Sequence, residues 1–294
     1  MPSIKEVANR INAVTSTQQL TQAMKVVAAA KLNKVQQQVL QMRPYAEKLT
    51  AILNNVTASS SRQFAQQYQE ERPLAQLLVV VMTSDRGLCG SFNANVLKKA
   101  FNYVQEKANR LPQTQITILP IGKKALAFFQ KRGLNLIPDY VDLSHHLDFD
   151  HVGAVAALLT KAFLQHTYDQ VLLFYNEFQT AASQTPIVEQ WLPLAQVVST
   201  DTPGQQALID YIYEPSKAKL MEALVPHVLQ IQFYKALLES NTSEHGARLT
   251  TMSKATDNAE ELLKNLRLTY NRTRQAVITR EISEIVAGAD ALAS

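Results

Sequence analysis

The sequence predicts a mixed α/β chain: a long antiparallel coiled coil of N- and C-terminal helices, with a central Rossmann-like α/β domain between them. Three observations carry this. Residues 3–56 hold no glycine and one proline, Pro44, and their apolar residues recur at helical spacing. A second helical pattern runs from about Ser216 to Gly288. Between the two, short apolar runs alternate with helical segments, the pattern of strands buried in a parallel sheet. The division expected is 1–58 for the N-terminal coiled-coil helix, 70–214 for the Rossmann-like α/β domain and 215–294 for the C-terminal helix.

The N-terminal seam starts as Ile4, Val7, Ile11 and Val14. Gln18 and Thr21 take the next places, so the stripe is expected to slip and restart on a shifted face as Leu20, Met24 and Val27. Ala28-Ala29-Ala30 would let a neighbouring helix approach closely, and Val35, Val39 and Met42 continue the stripe. Some 50 helical residues would extend about 75 Å, too long to stand without a partner helix. Ser59-Ser60-Ser61 marks a joint.

The central segment supplies strands at Leu77–Met82, Gln115–Leu119, Gln170–Tyr175, Pro186–Leu194 and Leu208–Tyr213. Helices are expected at Ser91–Arg110, Lys123–Arg132 (ended by Gly133) and His151–His166. The C-terminal seam reads Leu220, Leu224, Val228 and Ile231, then Leu249, Met252, Ala255, Ala259, Leu262, Leu266 and Tyr270. Pro226 should kink its first turns.

Composition narrows the function. Eight glycines in 294 residues disfavour an all-β fold, and the single cysteine, Cys89, cannot close an internal disulfide. No run approaches the roughly 18 apolar residues of a membrane span. The first residues read as an immediate helix start without a signal core. Residues 1–50 carry seven Lys/Arg against two Glu, residues 51–205 carry twelve of each sign, and residues 206–294 carry ten basic against eleven acidic. The net +4 is thereby assigned to the N-terminal helix, which suits an acidic partner, anionic lipid or nucleic acid, or simply a solvated face.

An α/β domain invites a search for nucleotide chemistry. Gly122-Lys123 is the one Gly-Lys pair, but Thr117 stands where a phosphate loop needs its first glycine and Lys124 where it needs a hydroxyl. The dinucleotide fingerprint is absent too, and Gly87-Leu88-Cys89-Gly90 reads as turn geometry. His145, His146, Asp148, Asp150 and His151 cluster as metal-capable residues, but with no second ligand group a polar surface loop is the better reading. Cys89 lies near Arg86, which would lower its pKa, yet a lone thiol without a His partner is more often a small buried residue. No catalytic, cofactor-binding or metal residues are assigned. At the C-terminus, Arg274, Gln275, Thr279, Arg280, Glu281 and Glu284 interleave with Val277, Ile278, Ile282, Ile285 and Val286. If the last turns outrun their partner helix, those apolar residues need cover from another chain. A frayed tail is the alternative.

The residues resemble one family throughout. Ile4-Lys5-Glu6, Arg10-Ile11-Asn12-Ala13-Val14 and Thr17 to Leu32 look like the gamma subunit of F-type ATP synthases, as does Arg43-Pro44-Tyr45. So do the block from Thr83 to Asn93, the stretch from Ser243 to Ala259, and Tyr270-Asn271 through Gly288-Ala289. The resemblance implies a non-catalytic rotor shaft inside a ring of alpha and beta subunits, with a foot on the epsilon subunit and the c-subunit ring at the cytoplasmic face of the bacterial plasma membrane. Nucleotide chemistry would belong to the beta subunits, and no cofactor or nucleic acid is implied. Carried over by position, Met24 and Arg248 would lie near an acidic lever of beta. Arg274, Gln275 and Thr279 would meet a beta loop, and Tyr213 and Glu214 would face the c ring. Gly246 and Leu249 stand where the family commonly has alanine and methionine, changes expected to leave the helix intact. Between Tyr140 and His151 there is no cysteine-bearing insertion of the chloroplast kind. A stand-alone α/β enzyme with helical arms and a coiled-coil nucleic-acid binder are the rival readings.

Overall fold

The computed structural model describes residues 3–58, 67–70, 72–145, 147–194 and 217–293. Its elements in chain order are α1 (Ile4–Ala58), β1 (Gln76–Met82), α2 (Phe92–Arg110), β2 (Gln115–Ile121), α3 (Lys123–Gln130) and β3 (Asn135–Leu136). A 3-10 helix (Pro138–His145) follows, then α4 (Phe149–Leu164), β4 (Gln170–Phe178), β5 (Gln184–Leu192) and α5 (Lys217–Ala293). Two compact units form, one from Met1–Ala29 with Arg248–Ser294, the other from Ala30–Ala247. Each takes part of α1 and part of α5.

In the larger unit the five strands lie in the order β3-β2-β1-β4-β5. β1 pairs in parallel with β2 and β4, and β2 with β3. β1 is central and covered on both faces, so Leu77 to Met82 can be apolar without alternation. Leu78, Val80 and Met82 face α4 and α5, while Leu77, Val79 and Val81 face α2 and α3. β5 departs from the parallel pattern. It joins β4 through a short turn and pairs antiparallel, Phe178 opposite Gln184, because so few residues cannot make the crossover that a parallel strand requires.

Helix boundaries follow local chemistry. α1 starts where the Ser3 hydroxyl accepts from the Glu6 amide, a serine N-cap. α4 begins at Phe149, two residues before the expected His151, because the Asp148 side chain accepts from the His151 amide. α3 ends at Gln130, and Gly133 takes a φ of 65° beyond it. α1 and α5 remain helical through Pro44 and Pro226. The two-residue β3 and the 3-10 helix were not anticipated, being too short to show a period. The expected strand Leu208–Tyr213 and the serine joint lie outside the described residues.

From Leu224 to Ala247 the α5 segment of this unit has no exposed residue. Met221, Val225, Leu229, Phe233 and Leu237 enter the core over the sheet. Leu238 meets Val35 and Val39 of α1 instead, and Tyr45 of α1 meets His227, so the two helices run antiparallel here. Each large apolar side chain buried this way contributes about 1.5–3 kcal/mol. One charge sits among them. Glu239, 3% exposed at its side chain, accepts from Arg43 at 2.9 Å (Nε) and 2.7 Å (Nη2), and its other oxygen accepts from the Phe178 amide at 3.2 Å. Three elements, α1, α5 and β4, thereby meet at one carboxylate. Close approach of the β4–β5 turn to α5 depends on Gly246, where a Cβ would come within 3.2 Å of Ala181 Cα and of the Phe178 ring.

Glu239→Ala should destabilise the full chain by about 1.5–3 kcal/mol, the range for losing hydrogen bonds to a charged group when the partner left behind, Arg43 at 38% exposure, is still reached by water. Urea unfolding followed by circular dichroism measures it, and a change below about 1 kcal/mol would show that the Arg43 contact is incidental.

Candidate functional site

Two places were open to chemistry: the crevice at the carboxyl ends of the strands, where α/β sheets hold ligands, and the surface of the helical pair. In the crevice the chain's own groups serve one another. Thr83 Oγ1 accepts from the Ala125 amide at 2.9 Å, and Asp85 accepts from the Lys123 amide at 2.9 Å. These are the amides at the start of α3 that an anion would use. The second oxygen of Asp85 accepts from Ser144 at 3.0 Å. Ser84, Cys89 and Asn93 form a second knot: Asn93 Nδ2 lies 2.7 Å from Ser84 Oγ and 3.2 Å from Cys89 Sγ, and its oxygen accepts from the Ser84 amide. Cys89 is buried against Phe92 and Ala247. Gly122, at a φ of 95°, lets the backbone pass where a Cβ would come 2.2 Å from Thr83 O, a role in close approach rather than phosphate cradling.

The histidine–aspartate cluster resolves into a helix cap. His151 Nδ1 lies 2.8 Å from Asp148, and the two hydrogen bonds from His151 hold the Asp148 carboxyl below its ordinary pKa. Among the described residues no group of three His, Cys, Asp or Glu is placed to hold a metal. His146 lies outside them.

The smaller unit is a helix pair with a partly polar seam. Val7, Ala28, Met252, Ala259 and Leu263 are buried, and so are Thr256 and Thr273. Thr21 donates to Gln18 O at 2.9 Å and stands 2.9 Å from the Thr256 hydroxyl. The expected slip of the seam therefore does not occur. Gln18 and Thr21 stay on the inner face, Thr21 because its hydroxyl finds partners there, and Leu20, at 61% exposure, and Val27, at 56%, face outward. On α5 the same correction applies to Ala255 and Leu262: Thr256 and Leu263 take the buried places, and Leu262 is 47% exposed.

Beyond Val277 every described side chain on α5 is exposed, among them Ile278, Ile282, Ile285 and Val286. Thr279 lies on this uncovered length, and Arg274 and Gln275 are exposed just before it. Thr279 donates back to Gln275 O at 2.9 Å, Ser283 to Thr279 O, and Arg280 pairs with Glu284. Met24 is half-buried on α1 and Arg248 half-buried on α5. Tyr213 and Glu214 lie outside the described residues. The outward apolar residues of α1 were legible as apolar but were assigned to the wrong face, since hydrophobic spacing alone does not show that a threonine pair can hold a seam.

No helix among the described residues is long and apolar enough to cross a membrane. Replacing Ile282 and Ile285 with aspartate should leave the stability of the isolated chain within about 0.5 kcal/mol of wild type, as for surface substitutions. Leu263→Asp, which buries a charge in the seam, should lower it by more than about 2 kcal/mol. Thermal unfolding of the three chains compares them.

Comparison with known proteins bears on what such a surface serves. A family model described as ATP synthase matches residues 3–292. The chain is 57% identical to an ATP synthase gamma chain of Amoebophilus asiaticus over 292 residues, 99% of both chains. It is 49% identical to that of Cytophaga hutchinsonii, again over 99% of each. Among solved structures it is similar to a chain of the Euglena gracilis mitochondrial ATP synthase in rotational state 3, with a TM-score of 0.63 at 22% identity, covering 98% of this chain and 94% of that one. A chain of the Tetrahymena thermophila central stalk and c ring aligns with a TM-score of 0.57 at 22% identity, covering 80% of this chain and 99% of that one.

Proposed function

The chain belongs to the ATP synthase gamma-chain family, the central-stalk component of a membrane complex, and from that premise we propose that its helical pair acts as a rotor against a surrounding ring of alpha and beta subunits. The observation that carries the reading is the end of α5. The twelve residues from Ile278 to Ala289 are exposed and partly apolar, a surface that no part of the described chain covers. Proton flow through the c ring would turn the shaft, and the shaft would present a different side to each beta subunit in turn.

The physics needs only differential contact. A subunit with two conformations shifts toward the one that the facing shaft surface binds better, and moving such an equilibrium from 1:99 to 99:1 takes about 5.5 kcal/mol. Arg274, Gln275 and Thr279 would meet a loop of beta. One charged contact of about 1.5–3 kcal/mol and two neutral ones of about 0.5–1.5 kcal/mol come to the same order as that requirement. Thr279 is four residues from Gln275, so the two share a helix face, with Arg274 at its edge. Met24 and Arg248 would lie by an acidic lever of beta, where the basic N-terminal helix lends attraction. Tyr213 and Glu214 would face the c ring, with the epsilon subunit beside the α/β domain. The complex would hold the chain at the cytoplasmic face of the bacterial inner membrane.

The chain would not be an enzyme by itself. Its crevice amides are engaged by Asp85 and Thr83, which supports leaving nucleotide chemistry to the partners. Calorimetry on the isolated chain is expected to show no micromolar ATP site, and finding one would return the enzyme reading.

In complexes reconstituted with alpha and beta, Arg274→Ala with Gln275→Ala should lower ATP turnover more than deleting residues 287–294, while both assemble. The lost Arg274 contact is expected to matter by about 1.5–3 kcal/mol and the lost Gln275 contact by about 0.5–1.5 kcal/mol, against a tail of mainly small residues. A deletion that does more harm than the double substitution would move torque transmission from the polar face to the tip.

A further inference from the structure

The charge of the central segment balances only in total. Between Phe92 and Gly133 the sequence carries eight Lys/Arg and one acidic residue, Glu106, whereas the rest of residues 51–205 has four basic against eleven acidic. The fold gathers this excess on one layer. α2 and α3 lie together over the Leu77, Val79 and Val81 face of the sheet, with Phe101 edge-on to Phe128 at 5.9 Å. Inward positions such as Val96, Ala100, Val104 and Phe129 are apolar, so the cations are left outside. α2 contributes Lys98, Lys99, Lys107 and Arg110. α3 and the turn after it contribute Lys123, Lys124, Lys131 and Arg132, and all but the half-buried Lys107 are exposed.

Part of this array is fixed in place. The Arg132 guanidinium lies 3.5 Å from the Phe128 ring centre and 4.9 Å from that of Phe101, and it donates to Phe128 O at 2.7 Å. Lys99 donates to Pro186 O at 2.6 Å, and Lys107 lies 5.5 Å over Tyr103. Cations held in position favour anions that are also held in position, since neither side then loses much freedom on meeting. Fluid lipid headgroups gain little from such order, and helices that bind membranes insert large apolar side chains. On this layer Leu111, 41% exposed, is the one exposed large hydrophobic among the described residues. Single-stranded bases stack on open aromatic faces, and Arg132 covers that of Phe128.

We propose that the outer α2–α3 face is a docking surface for an acidic protein surface, one that presents Asp and Glu side chains in fixed array. This face lies across the sheet from the α5 segment of the same unit and shares no residue with the rotor contacts above.

The test uses purified, intact ATP synthase treated with a water-soluble carbodiimide, which joins a lysine amine directly to a carboxylate in contact, with the products mapped by mass spectrometry. Acetylation rates of the same lysines are compared between the complex and the isolated full chain. Lys98, Lys124 or Lys131 should be joined to Asp or Glu of another chain, and should acetylate about tenfold more slowly in the complex. Lys98→Glu with Lys131→Glu should remove the protection of Lys124, whereas Lys5→Glu with Lys34→Glu, an equal change in net charge, should keep it. Equal acetylation rates without interchain links would overturn the proposal. So would comparable slowing of the isolated chain by phosphatidylglycerol vesicles or a short DNA duplex, which would give the face to lipid or nucleic acid.

Discussion

The carboxylate of Glu239 holds together the three elements on which the larger unit is organised. It takes two hydrogen bonds from Arg43 of α1 and one from the Phe178 amide at the end of β4, while sitting on α5 among Leu237, Leu238 and Ser240, all buried. A buried charge is tolerated only with such partners, and here the partners come from segments 61 and 196 residues away in sequence. The sheet, the helix laid across it and the helix from the other end of the chain must therefore arrive together. Nearby, Ser243 donates to Asn176 O and the Trp191 indole to Leu229 O, so polar bonds accompany the apolar contact along α5.

The two parts of the molecule spend their polar groups differently. At the carboxyl ends of the strands, hydroxyls, an amide and a carboxylate close on one another and on the start of α3, so this end of the sheet is occupied by its own side chains. In the helix pair, the Thr21–Thr256 contact lies in the seam, and aliphatic residues such as Leu20, Val26 and Val27 are turned outward. Exposed apolar surface of this extent suits a protein that works inside other subunits, where affinity must differ between neighbours without becoming permanent. A seam of Thr21, Ala28, Thr256 and Ala259 is also thin, and thin seams let two helices stay close.

Much of the architecture was legible because its periods are long. Fifty residues without a glycine, a helical pattern at each end and uninterrupted apolar runs at Leu77–Met82 and Gln170–Tyr175 leave little freedom in fold class. What escaped was set by single hydrogen bonds or short spans. The start of α4 depends on the Asp148 carboxylate, the antiparallel β5 on the length of one turn, and the seam on a threonine contact across 235 residues. The candidate surface divides the same way. Ile278 to Val286 could be read as apolar residues in want of cover, while the outward set on α1 was assigned inward. The basic α2–α3 layer was present in the sequence but was hidden by summing charge over a segment whose other elements are acidic.

The central claim is that the chain works by turning as a shaft, with its α/β domain as a handle and its helical pair as the working surface. An optical probe on that handle tests it most directly. With Ala157→Cys on the exposed side of α4 carrying a fluorescent or bead label, and the alpha–beta ring fixed to a support, single complexes supplied with ATP should show the label rotating in one direction, stepwise at low ATP. Hydrolysis by labelled complexes whose probe stays fixed, or moves without net direction, would contradict the account.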